Sequence, residues 1–316
     1  MGKTLTRRTF LGATLAALPS VACLKAAATS RAMNWKLGII TDEITENLEQ
    51  ALDFISHYDL GYCELREMWQ KNIMNLSQAQ LDRAKSLVEK HHLKVTDIGS
   101  PVFKYNLPQM PARQEKRDTF RANFTDQDTD HLLHQSFQLA RFFGTRKVRI
   151  FSYWRVPEPE KAYPYVRDRL AKAAKLAGEN DIVLILENEH ECNVGTGKEL
   201  GQIVRDVNSP NLRGNWDPAN AAMLHEVPFP DGYNYVKGLF PHLHIKDVKK
   251  GPGGKLEWAP VGGGFIDWKG QFEALRRDNF QGDMALETHY RRPDGNKVES
   301  TRESLMGLFK VIKETA

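Results

Sequence analysis

At 316 residues, with 41% hydrophobic and 27% charged side chains, the chain has the balance of a soluble globular protein. Its length suits one α/β barrel, so no second domain is required. The formal charge of +4 sits at one end: residues 1–31 hold Lys3, Arg7, Arg8, Lys25 and Arg31 and no acid, and without these five the 44 basic side chains become 39 against 40 acidic ones, which excludes the basic footprint that nucleic acid or an anionic membrane would need.

The first element in the chain is a leader. TRRTFL (Thr6–Leu11) and the mildly apolar GATLAALPSVA behind it resemble a twin-arginine export signal occupying residues 1–31. The run is shorter than the roughly 20 apolar residues a bilayer requires, and Pro19 interrupts it. Cleavage is expected within Ala26–Ala32, Cys23 offers an alternative lipid-attachment point, and the protein is expected in the periplasm or outside the cell. Beyond the leader only Cys63 and Cys192 remain, too few for a disulfide framework, and both read as idle thiols. Export after folding suits a protein that loads its metal in the cytoplasm.

From Trp35 onward a β-rich run and a helical stretch alternate eight times, so residues 34–316 read as one domain. The β-rich runs are 36–44, 61–68, 93–103, 147–155, 181–189, 211–220, 242–248 and 282–290. Each is followed by apolar residues at three- and four-residue spacing, as in Leu48, Leu52, Ile55 or Leu305, Leu308, Phe309, Ile312. Gly61, Gly178 and Gly282 lie near the returns from helix to strand, where a helix stop is expected. Strand–helix pairs without a hairpin pattern imply a parallel sheet, and eight of them a closed (β/α)8 TIM barrel. An open doubly wound sheet is the runner-up, but no Gly-x-Gly-x-x-Gly follows the first run.

In such a barrel the chemistry belongs to the C-terminal strand ends, and strand side chains alternate with period two. VLILENEH (183–190) therefore places Glu187 and Glu189 on one face, GNWDPAN places Asn215 with Asp217, HLHIK places His242, His244 and Lys246 together, and ALETH places Glu287 with His289. Taken singly, each has an ordinary structural reading as a solvated carboxylate, a turn former or a core histidine. Together, three carboxylates crowded at one mouth repel and protonate unless a cation neutralises them. Glu187, Asp217, His244 and Glu287 make a mixed oxygen and nitrogen shell for a divalent metal, Mn²⁺ first, with Mg²⁺, Co²⁺ or Zn²⁺ as alternatives.

LENEH, NWDPAN, HLHIKD and ALETH, in that order, resemble the xylose isomerase-like sugar phosphate isomerase/epimerase superfamily, and APVGGGFIDW (259–268) matches its glycine-rich loop. The resemblance implies that Glu187, Asp217, His244 and Glu287 hold the metal. By similarity to ketose 3-epimerases, Glu187 and Glu287 are also the acid–base pair on opposite faces of the substrate. One departure stands out: Asn220 occupies the position where those epimerases have a substrate-touching histidine, and an amide cannot shuttle protons. The expected chemistry is proton abstraction next to a carbonyl, giving epimerisation or isomerisation of a free sugar, keto-sugar or polyol. Elimination from the same enediolate, a lyase, dehydratase or glycoside-cleaving reaction, is the alternative.

Around this centre Asn220, Lys246, His190, Glu64 and Arg66 are candidates for substrate contact, Glu64 and Arg66 either as a clamp or as an internal ion pair. Tyr153, Trp154 and Arg155 would stack on a sugar ring or pack under loops. His57, His91, His92, His131 and His134 read as surface, and KDVKKGPGGK (246–255) as a solvated loop. Two further functions compete. A multi-zinc endonuclease would need histidines where Glu64-Leu65-Arg66, Ile98-Gly99-Ser100 and Asn220 stand, and a non-catalytic sugar-binding barrel would leave the metal's open positions unused. Expected partners are a small carbohydrate, the twin-arginine export machinery and, as an open possibility, a second copy of the chain, with no nucleic acid and no stable membrane span.

Overall fold

The structure, a computed structural model, describes residues 35–108, 110, 112 and 119–315. The expected export signal, its cleavage stretch and Cys23 lie outside the described residues. Eight strands, β1 (Lys36–Ile40), β2 (Tyr62–Leu65), β3 (Lys94–Gly99), β4 (Lys147–Ile150), β5 (Val183–Glu187), β6 (Leu212–Trp216), β7 (His242–Ile245) and β8 (Asp283–Leu286), pair in parallel in sequence order. Strand β8 returns to β1 through Gly38↔Ala285 and Ile39↔Leu286, so the sheet closes as a (β/α)8 barrel. The longer helices are α1 (Leu48–His57), α2 (Gln78–Lys90), α3 (Thr129–Phe143), α4 (Pro159–Glu179), α5 (Gly197–Val207), α6 (Pro218–Met223), α7 (Trp268–Arg277) and α8 (Lys297–Glu314), and single helical turns form at Thr41–Ile44 and Tyr233–Val236. Among the described residues no helix is long and apolar enough to cross a membrane.

Local chemistry explains the helix starts. Ser77 with Gln80 and Thr196 with Glu199 form capping boxes for α2 and α5, and the side chains of Asn47, Asp267 and Asn296 accept the first free N–H groups of α1, α7 and α8. The helix stops differ from expectation. Among the described residues that turn back toward a strand in the left-handed region, Gly144 and Gly238 are glycines; Asp59, His92, Asp181, Asn208 and Asn279 take the same conformation, with short polar side chains in most cases tolerating that backbone. Gly282 instead permits a close approach, because a Cβ there would stand 2.3 Å from the Pro241 carbonyl.

Strand alternation sorts the layers. Leu184 and Leu186 belong to the main apolar cluster under the helices, whereas Ile185, on the other face of β5, is buried but lies outside that cluster. The barrel interior is polar: Glu64, Arg149, Asn215, His242 and His244 are all fully buried. The strands are shorter than the β-rich runs, and β5 stops at Glu187, which leaves Asn188, Glu189 and His190 on the following loop. Two antiparallel hairpins that the pattern did not predict stand on the mouth, one pairing Glu67–Met68 with Lys71–Asn72, the other Asp247–Lys250 with Leu256–Ala259. The second is made from most of the stretch read as a solvated loop. Asp247 at its base accepts the backbone N–H groups of Gly262 and Gly264, and a Cβ at Gly264 would meet the Asp247 carboxylate at 2.1 Å.

Candidate metal centre and active site

Glu187 stands opposite Asn215 and His244 opposite Ala285, so Asp217 and Glu287 lie two residues farther along their chains, a stagger of the kind that tilted barrel strands require. Glu187 ends β5, Asp217 follows β6 and caps α6 by accepting the Asn220 N–H at 2.9 Å, His244 lies in β7 and Glu287 follows β8. One donor atom from each of the four comes within 4.8 Å of all the others. His244 Nδ1 stands 3.2 Å from Glu287 Oε2, 3.3 Å from Glu187 Oε1 and 3.9 Å from Asp217 Oδ2. Ligands bound at about 2.1 Å in tetrahedral or octahedral shells are about 3–3.5 Å apart at each edge, so the set is close to the size of a first coordination sphere.

The environment of the histidine fits the same purpose. With Nδ1 facing the carboxylates, His244 Nε2 lies 3.0 Å from Glu64 Oε2, the carboxylate–histidine arrangement that fixes tautomer and ring orientation in metal sites. Glu187 Oε2 is buried without a hydrogen-bond partner. Asp217 Oδ2 also lacks hydrogen-bond geometry, although Lys246 Nζ stands 2.9 Å away. Unsatisfied buried carboxylate oxygens at one point are what a cation would complete.

The chain's own cations share in the neutralisation that the sequence pattern assigned to a metal alone. Lys246 Nζ is 2.7 Å from Glu287 Oε2, and Arg66 reaches Glu287 at 2.5 Å, Asp42 at 2.7 Å and Glu43 at 2.8 Å. Arg149, from the middle of β4, stands 3.5 Å from both Glu64 and Glu187. Burial pushes the Asp217 carboxyl up to about 6; Lys246 opposes this, while Glu187 and Glu287 add to it. Burial works the same way on Glu287, but Lys246, His289 and His244 outweigh it and hold that carboxyl well below its usual range. Burial lowers His244, yet Glu64, Glu187 and Glu287 hold it well above the ordinary histidine value.

The other predicted residues divide. Asn220 Nδ2 donates to Glu187 Oε1 at 3.2 Å, and its Oδ1 is 3.0 Å from His190 Nδ1, so both adjoin the centre. Lys246 touches two of the predicted ligands, Asp217 and Glu287, and Arg66 touches Glu287 from the mouth. Glu64 does not reach the mouth: it lies fully buried below His244, hydrogen-bonded to His244 and Arg149 and 3.4 Å from His242 Nε2, and these contacts stand in place of a pairing with Arg66. Tyr153 is buried against Phe103 and Tyr105 and donates to Asp126, Trp154 is buried, and Arg155 pairs with Glu199, so this segment packs under loops. His91, expected at the surface, keeps only 8% of its side chain exposed because it bonds to Asp53 and the Leu87 carbonyl.

Three neighbours of the centre escaped the sequence reading. Arg149 had a visible signal, a lone guanidinium inside the apolar run KVRIF. Lys104, which approaches Glu189 at 3.5 Å and lies 3.6 Å above the Phe120 ring, comes from the long β3–α3 connection and had none. Trp258 arrives on the unpredicted hairpin, its ring edge-on to His289 at 5.0 Å and to His190 at 5.9 Å.

Comparison with known proteins agrees with this architecture. A structure of the IOLI protein with a bound zinc atom superposes with TM-score 0.69 at 19% identity, over 89% of this chain and 99% of the other. A xylose isomerase-like TIM barrel protein from Mycobacterium smegmatis in complex with magnesium gives TM-score 0.60 at 17% identity over 84% and 89%. The 3-keto-D-glucoside 4-epimerase YcjR from E. coli gives 0.62 at 16% over 87% and 99%. These identities establish a shared fold, and no curated protein sequence matches the chain. The family model described as xylose isomerase-like TIM barrel matches residues 52–310, and the chain belongs to that family.

Proposed function

We propose that the protein is a divalent-metal-dependent sugar isomerase or epimerase that moves a proton at the carbon next to a carbonyl. The observation that carries this reading is the convergence of Glu187, Asp217 and Glu287 on His244 Nδ1 while Glu64 takes the opposite ring nitrogen. When bound, the ion would supply Lewis-acid stabilisation of negative charge on the substrate's carbonyl oxygen. Mn²⁺ is our choice on donor chemistry, and the zinc and magnesium of the two neighbours belong to the same range.

The chain's own residues do the rest. Glu187 and Glu287 enter from walls separated by β6 and β7. One carboxylate accepts the proton and the other returns one, to the opposite face or to the neighbouring carbon. Lys246 keeps Glu287 anionic, and Asn220 orients Glu187 without taking part in proton transfer. All four ligand residues are at most 1% exposed, which keeps bulk water from the reacting carbon. Arg7 and Arg8 support export of the folded protein, which favours free or keto-sugars over phosphorylated ones.

The test combines metal analysis with deuterium uptake from heavy water into a panel of keto-sugars. One ion per chain and exchange at a single carbon support the proposal. Two or three ions favour the hydrolase reading, and metal-independent binding without exchange favours a sugar-binding barrel. Loss of a substituent during exchange identifies the elimination variant.

A further inference from the structure

The loop that follows β5 carries an imidazole outside the proposed ligand set. Glu189 N–H bonds the Val194 carbonyl at 3.0 Å and Cys192 N–H bonds the Glu189 carbonyl at 2.8 Å, so His190 sits in a pinned turn. Its Nδ1 stands 2.7 Å from Glu189 Oε1 and 3.0 Å from Asn220 Oδ1. The Asn220 amide is oriented from its other end, where Nδ2 donates to Glu187 Oε1 at 3.2 Å, so its oxygen faces His190. Lys104 Nζ, 3.5 Å from Glu189 Oε2, holds that carboxylate from behind. Nδ1 therefore meets two acceptors and carries the proton of the neutral ring, which leaves the free lone pair on Nε2.

Among the described residues no group bonds Nε2, and the side chain keeps 23% of its surface exposed while Nδ1 points inward to buried Asn220 and Glu189. The free nitrogen thus belongs to the mouth. One amide separates the ring from Glu187. On its other side stands Trp258, 5.9 Å from the His190 ring and 5.4 Å from Lys246 Nζ, which itself touches Asp217 and Glu287. His190 is therefore one of the side chains that ring the cluster, where the oxygens of a bound sugar would lie. Burial lowers its imidazole, but Glu189 and Asn220 outweigh burial and the opposing charge of Lys246 and raise it above the ordinary histidine value. Such a group both gives and takes a proton near neutral pH.

We infer that His190 is a further catalytic residue, the group that carries the oxygen-bound proton of the enediol through Nε2, so that the reaction is the interconversion of an aldose and a ketose. This role rests on the isomerase/epimerase reading and narrows it, since epimerisation at one carbon needs no transfer between oxygens. The protons balance. One carboxylate of the Glu187 and Glu287 pair removes the carbon-bound proton, the C–H electrons form the C=C bond, and the carbonyl electron pair takes a proton from protonated His190. Neutral His190 then accepts the proton of the neighbouring hydroxyl, whose O–H electrons help form the new C=O, and the carboxyl returns its proton to the former carbonyl carbon. Both groups end as they began.

The probes are D-fructose, D-tagatose and D-xylulose, each incubated in heavy water with manganese-loaded full-length protein, wild type, His190→Gln and His190→Ala. NMR reads carbon-bound deuterium in the recovered ketose and the aldose formed in the same sample. At least one ketose gives aldose with the wild type. His190→Gln keeps its metal and loses aldose formation about 10²–10⁴-fold, with a smaller loss of exchange, and added imidazole restores part of what His190→Ala loses. The role is overturned if the wild type exchanges but forms only an epimeric ketose, or if His190→Gln forms aldose at the wild-type rate. It is overturned equally if exchange and aldose formation fall together in variants with native circular dichroism and imidazole rescues neither. The failures are distinguishable: no exchange by the wild type on any ketose refutes the proton-transfer reading and this role with it, whereas each of the other outcomes refutes the role of His190 alone.

Discussion

Glu64 gives the sharpest test of how the centre is held. Its carboxylate touches no predicted ligand except His244, through Nε2 at 3.0 Å, and is itself held by His242 at 3.4 Å and Arg149 at 3.5 Å. Glu64→Gln preserves shape but weakens acceptance from an imidazole N–H and turns an N–H₂ toward one of its cationic neighbours. Removing such outer partners costs about 10–100-fold in metal affinity, which corresponds to about 1.4–2.7 kcal/mol of binding. Either change removes an anion that faces Arg149, and breaking a buried pair costs about 3–5 kcal/mol of stability; alanine in addition empties the space that the side chain fills. Gln is therefore the informative change and Ala the control for folding. The assay is metal affinity by chelator competition, with thermal unfolding of the metal-free protein measured in parallel. A weaker metal constant in a Glu64→Gln protein that still unfolds cooperatively without metal supports orientation of His244. An unchanged metal constant in a folded Glu64→Gln protein refutes it.

The other expected outcomes can be checked together. Glu187→Gln and Glu287→Gln should each slow solvent exchange by about 10²–10⁴-fold, the usual span for loss of a general acid or base, and Glu287→Gln should also lower metal content; unchanged metal and turnover would dismantle the site. Stripping the ion with chelator should lower the unfolding temperature, and restoring it at a hundredfold excess over its dissociation constant should return about 2.7 kcal/mol, read by differential scanning fluorimetry at several metal concentrations. Burial pushes Glu43 up, but His289, Arg66 and Arg291 outweigh it and bring its carboxyl down to about 2. Because that lies below the unfolded value of 4.5, Glu43 contributes stability above pH 4.5 that is lost as pH falls toward 2, amounting to about 3 kcal/mol. Denaturant titrations should show wild type losing stability across this window more steeply than Glu43→Gln, and parallel curves would contradict that role for Glu43.

Much of the barrel was legible because its signals are local. Period-two alternation ties Glu187 to Ile185 and Glu287 to Ala285 whatever the rest of the chain does, and eight repeats of strand and helix leave few ways to close a parallel sheet. The residue types also named the chemistry, since carboxylates and an imidazole ending consecutive strands suit a hard or borderline cation. What remained hidden depends on distance through space. Glu64 and Arg66 lie two residues apart at the end of β2, yet one sits beneath His244 and the other at the rim, because strand depth decides which neighbours each can reach. Lys104 and Trp258 approach the mouth on connections whose course depends on tertiary packing, and no periodicity records where such segments arrive. Alone, the sequence determined the strand order and the polar face, since these follow from backbone alternation, and named the four residues proposed as ligands. Only the folded chain decided which cations balance those acids and which aromatic ring meets the flanking histidines, because charge pairing and ring contact are set by ångström-scale proximity between segments far apart in sequence.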